Sequence, residues 1–207
     1  MIKQTLFIII IFLSFYFLNK NIRKLPSENN SSKIIIPDQY SQLLHFGQKE
    51  LVSSLAWIDI IQNSNTDKDE IPFEFSRAIF ISKLSPLFFI NYSYNGTLIS
   101  IAKDQFENSN NILKLGLKYF PNNYELLFQL GFNNYFLQNN LNEGLDIFKL
   151  IYDLNIYQNY NPLFPIIYSN LQKKSGQKEL ARRILYDLLI NTDNKNLIKV
   201  IKNKLKN

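Results

Sequence analysis

The sequence predicts an all-α protein: a right-handed α-solenoid of antiparallel helix hairpins, preceded by a single N-terminal transmembrane or signal helix. Three observations carry this. Residues 6–18, LFIIIIFLSFYFL, are an apolar run whose only polar groups are Ser14 and the Tyr16 hydroxyl. Hydrophobic residues make up 46% of the chain, while the 6 glycines and 7 prolines are scattered, which favours helices around one substantial core. Residue types then recur at an offset of 35, the mark of stacked supersecondary units.

The apolar run has the length of a signal-peptide core and falls short of the roughly 20 residues of a comfortable span; residues 2–22 reach that length if the flanking lysines snorkel to the headgroups. The following NKNIRKLPS holds no small-x-small cleavage site. Residues 1–24 are therefore expected to be a retained signal anchor, touching the membrane through residues 2–22. Sidedness is open on the residues. Lys20, Arg23 and Lys24 outnumber Lys3, which would hold the bulk of the chain in the cytoplasm; the alternative is an export signal with an atypically basic flank. The expectation adopted is a domain on the extracytoplasmic, periplasmic side, with the cytoplasm-facing orientation as its alternative. Residues 25–44 are expected to be a linker, and 45–207 the helical domain.

Within that domain Pro86 is matched by Pro121, Gly96 by Gly131, Ser109 by Gly144, Ile112 by Ile147 and Leu113 by Phe148, each pair 35 residues apart. These are the residue types that two packed helices need: a stop, a small residue for close approach, an apolar contact. Each unit reads as a helix, a polar turn and a second helix. Such a hairpin cannot bury its apolar face alone, so stacked neighbours must supply the missing partner. Two mid-helix glycines at the repeat offset are better explained by close packing than by tolerance of a helix defect. The expected hairpins cover about 46–85, 86–120, 121–155 and 162–192, with a basic capping helix over 195–206.

These residues resemble the tetratricopeptide (TPR) motif, with its small residue in the first helix, A-x3-F in the second and a closing proline. Leu127, Leu130 and Gly131 occupy the L-x2-L-G positions, Gly144 with Phe148 stands for A-x3-F, and Pro121 closes the preceding helix. In the earlier unit Tyr92, Asn95 and Gly96 fill the same slots, followed by Ser109, Leu113, Gly116 and Pro121. A drifted later unit places Tyr168 and Ser169, then Gly176 at the turn, then Ala181 with Leu185 and Leu188. Two departures stand out. Both good units run 13 positions from glycine to the small residue of the second helix, one more than the motif's usual spacing. The aromatic slot holds Ile99 and Asn134, with Tyr135 one place late. Another helical-hairpin family is the competing assignment.

Several function classes lose support. The net charge of +6 sits at the ends: Lys3, Lys20, Arg23, Lys24 and Lys33 against Glu28 in residues 1–33, and five lysines against Asp193 in residues 193–207. Nothing basic tracks the folded surface as a phosphate backbone requires, so nucleic acid is not an expected partner. Cysteine is absent and His45 is the only histidine, which removes thiolate and common zinc chemistry. Asp67, Asp69 and Glu70 lie in a loop without the glycine and closing glutamate of a calcium site, and Asp59 in its apolar stretch is expected to turn outward. No phosphate-cradling or nucleophile-elbow motif occurs. No catalytic residue, metal, cofactor or small-molecule substrate is expected, and the chain reads as a non-enzyme.

The resemblance implies a protein partner. In TPR stacks the first helices line a concave groove, which here would present Ser93, Thr97 and Ser100 from one unit and Glu125, Phe128, Phe132 and Tyr135 from the next. Such a face, aromatic with few charges, suits an extended or helical peptide. The expected function is a membrane-anchored scaffold or assembly factor; a soluble exported carrier or chaperone-like factor, released by signal cleavage, is the alternative.

Overall fold

In the computed structural model, residues 47–64 and 73–206 are described, all within the unit Ile35–Asn207. The expected anchor, the linker, His45 and the acidic loop Asp67, Asp69 and Glu70 lie outside the described residues. The described residues form nine α-helices and no strand. They are α1 (Lys49–Asn63), α2 (Phe73–Leu84), α3 (Phe89–Ile101), α4 (Phe106–Leu117), α5 (Tyr124–Phe132), α6 (Leu141–Asp153), α7 (Phe164–Lys174), α8 (Lys178–Ile190) and α9 (Lys195–Lys206). The protein is all-helical over this range. Among the described residues no helix is long and apolar enough to cross a membrane.

Helix boundaries follow from local chemistry. Before α5, Pro121 starts a turn and the Asn123 side chain accepts the Leu126 backbone N–H at 3.1 Å, capping one of the amides a helix start leaves unpaired. Asn194 does the same for α9, accepting from Asn196 and Leu197. Pro165 stands in the first turn of α7, where its missing N–H costs nothing.

Consecutive helices pair as α1–α2, α3–α4, α5–α6 and α7–α8, and each pair packs on the next through α2–α3, α4–α5 and α6–α7. Directions within a pair oppose. Across α3–α4 the glycine at 116 faces Tyr92 near one end, while Gly96 faces Leu113 further along. Across α1–α2, Asp59 is bound by Arg77 at 2.9 Å and the Ser53 and Ser85 hydroxyls meet at 2.9 Å. The core is a chain of clusters bridging neighbouring pairs: Ala78 of α2 joins Tyr92, Ile99, Ile112, Leu113, Leu126 and Leu130, while Leu127 and Phe148 join Phe164, Tyr168 and Ile184.

The offset of 35 reappears in the backbone. The starts of α3 and α5, Phe89 and Tyr124, differ by 35, as do those of α4 and α6, Phe106 and Leu141. Each first helix of these pairs is followed by a left-handed residue, Asp104 after α3 and Asn139 after the turn that continues α5, both with φ of 55°. The N–H of the following residue reaches back six positions, from Gln105 to the Ile99 carbonyl and from Asn140 to that of Asn134. This closing bond spans one residue more than that of a Schellman cap, and the left-handed position holds aspartate or asparagine where glycine is commonest. The third pair drifts because residues 154–163 are inserted as irregular turns before α7.

The late aromatic has a structural cause. After α5 the chain runs through a π turn, Asn133–Leu137, closed by the Gln138 N–H on the Asn133 carbonyl at 2.9 Å. A π turn holds one residue more than an α turn. It brings Tyr135 against Gly144 and Phe148, while Asn134 stays buried and donates to the Leu130 carbonyl at 3.1 Å.

Candidate functional site

The residues that define the repeat lie inside it. Gly96, Ser109, Leu113, Leu127, Leu130, Gly131, Gly144, Phe148, Ala181 and Leu185 are all buried, whereas Pro121 is exposed in its turn. The Ser109 hydroxyl donates to the Gly96 carbonyl at 2.6 Å, so the small residue of one helix is tied to the glycine of its partner. Ser169 repeats this with the Ala181 carbonyl at 2.9 Å, its direction reversed. A layer of amides joins consecutive pairs: Asn133 donates to Ser109 Oγ and Asn110 Oδ1 at 2.8 and 2.9 Å, and Asn110 donates to Gln138 Oε1 at 2.8 Å.

Beside this layer, α3 and α5 stand next to each other and leave an open groove of about 510 Å³. Thr97 and Ser100 come from α3, and Glu125, Phe128 and Phe132 from α5. These five of the seven expected groove residues are brought together. Ser93 and Tyr135 are not among the lining residues. Ser93 is buried, and its carbonyl accepts the Thr97 hydroxyl at 3.0 Å. Tyr135 is turned by the π turn into the α5–α6 contact, so it serves packing rather than the groove.

Ile101, Tyr124, Gln129, Asn133 and Tyr160 also line the groove. Tyr160 comes from the inserted turns and stacks on Tyr124, with ring centroids 5.4 Å apart and planes within 10°. The drift of the later unit marks an insertion but not which of its side chains turns to the groove, so no sequence signal singles out Tyr160. Burial pushes the Tyr124 phenol above its ordinary value, and a hydrogen bond with Asn161 opposes the shift.

The groove's serine and threonine hydroxyls are spent on their own helix, since Thr97 donates to the Ser93 carbonyl and Ser100 to that of Thr97. Glu125 is the one charged group on its wall. Among the described residues no three His, Cys, Asp or Glu side chains converge on a possible metal position. The apolar surface divides into two kinds. Phe128 is half-buried and packs on Phe148 and Phe164, so it belongs partly to the core, whereas Phe132 is 37% exposed and pairs with the exposed Phe136 at 4.9 Å. Compared with known proteins, the chain matches no family model, no curated protein and no solved structure.

Proposed function

We propose that the chain is a non-catalytic protein-binding scaffold: a right-handed solenoid of the tetratricopeptide kind, anchored through residues 2–22 and presenting the α3–α5 groove to an extended or helical segment of a partner. The observation that carries the reading is the groove itself. It lies between the first helices of two units related by 35 residues, and it offers Ile101, Phe128 and Phe132 as apolar contacts beside side-chain amides, with a single charge. That combination fits a largely apolar peptide with polar backbone groups to satisfy. The recurring helix starts and left-handed caps support the family assignment, and the apolar run at residues 6–18 supports the anchor.

Phe132→Asp in the full-length chain tests this, because Phe132 is exposed enough to carry a charge without opening the core. Affinity purification from the producing cells is expected to lose the co-purifying protein while the helical circular dichroism stays that of the parent. The same partner recovered in the same amount would sink the groove reading.

A further inference from the structure

A second cavity, of about 580 Å³, lies where the end of α6, the inserted turns, the end of α8 and the start of α9 meet. Its lining combines two tyrosine rings, Tyr152 and Tyr157, with the carboxylate of Asp187, and apolar walls from Pro162, Leu188 and Leu197. The rings are parallel to within 3°, centroids 6.0 Å apart. Asp187 faces both: its Oδ2 lies 3.4 Å from the Tyr152 hydroxyl, and its charge, after burial, is among the causes that push both phenols above their ordinary values. No lysine or arginine lines the cavity, and among the described residues none pairs with Asp187, although Arg183 stands one helical turn away. The carboxylate thus has acceptor capacity left over, at a long contact with one phenol.

We propose that this cavity binds an organic cation, an alkylguanidinium or alkylammonium head held between the tyrosine rings and Asp187, with its alkyl stem along Pro162, Leu188 and Leu197. Cations are drawn to the faces of aromatic rings within about 6 Å of the centroid, and an adjoining carboxylate adds an ionic hydrogen bond. Apolar walls with a few convergent polar groups are the usual make-up of a small-ligand pocket. An anionic ligand would meet the like charge of Asp187. The site is separate from the α3–α5 groove and stands or falls independently of it.

The test is calorimetric titration of the full-length chain in detergent with ethylguanidinium and with the capped peptide Ala-Ala-Arg-Ala-Ala, using the same peptide with citrulline for arginine as the uncharged control. Saturable binding of a cation is expected, weakened by at least about tenfold in Asp187→Asn and by the citrulline exchange, and kept in Tyr157→Phe, which retains the ring. Ethylguanidinium binding as tightly as the peptide identifies a free small cation as the ligand; a peptide tighter by about tenfold or more identifies the side chain of a protein partner. Failure of both cations to saturate, equal binding of the citrulline peptide, or unchanged binding in Asp187→Asn overturns the proposal. Asp187 is exposed on α8, so its amide variant keeps the fold and the readout.

Discussion

Lys103 Nζ lies 3.4 Å from the Glu74 carboxylate, and both side chains are closed off from solvent. Lys103 precedes the left-handed residue Asp104, and it reaches back to the second helix of the preceding pair. Thirty-five residues later Gln138 precedes the left-handed Asn139 and reaches back in the same way, accepting from Asn110 at 2.8 Å. One structural position therefore ties consecutive pairs together with a charge pair in one unit and an amide pair in the next.

Breaking the charge pair on one side is expected to be costly. Lys103→Gln alone leaves a buried carboxylate without its cation, and about 3–5 kcal/mol of unfolding free energy should be lost. The double variant with Glu74→Gln, which converts the pair to the amide chemistry used around Gln138, should recover most of that loss. Urea unfolding of the two singles and the double, read as a mutant cycle, checks it.

The two glycines of the α5–α6 contact should differ in their tolerance of a methyl group. A Cβ on Gly144 would stand 2.8 Å from the Tyr135 backbone nitrogen, which cannot move without shifting the π turn, whereas one on Gly131 meets only the Phe148 ring, nearest atom also at 2.8 Å. Overpacking typically costs about 1–3 kcal/mol, and alanine returns up to about 1 kcal/mol of helix propensity. Gly144→Ala is expected to lower the thermal midpoint clearly, with a smaller change for Gly131→Ala.

High pH should weaken the fold. The Tyr152 phenol is pushed up to about 12, first by burial and then by the charge of Asp187. An acid whose folded pKa lies above its unfolded value of 10.0 contributes stability that is fully present below pH 10 and is lost as pH rises through about 12. Tyr92, Tyr124, Tyr157 and Tyr168 shift in the same direction, chiefly from burial, and add to the same loss. Absorbance titration of tyrosinate is expected to show a late transition near pH 12 that disappears in Tyr152→Phe and moves down in Asp187→Asn.

How far the residues alone could lead differs between fold and groove. The helix pairs were readable because proline stops, small residues and apolar contacts recur where packing demands them; Ser109 and Gly96, bonded at 2.6 Å, are such a pair. The groove was harder, since facing it depends on the rotation of each helix about its axis. In α3 that rotation places Thr97 and Ser100 on the groove wall and Ser93 off it, although Ser93 and Ser100 are both buried. In α5 the π turn shifts the phase, so Tyr135 leaves the face that regular winding would give it. Tyr160 belongs to inserted turns, and the Glu74–Lys103 pair reads as ordinary surface charge until both are seen buried.

The most direct measurement places a photoreactive phenylalanine at position 132, on the groove rim, and separately at position 186, an exposed site on α8 that lines neither cavity. Irradiation of cells producing each full-length variant should yield a discrete protein adduct from position 132 and none of that mass from position 186. Equal adducts from both positions, or none from position 132 with the protein folded, would contradict a scaffold that binds its partner in the α3–α5 groove.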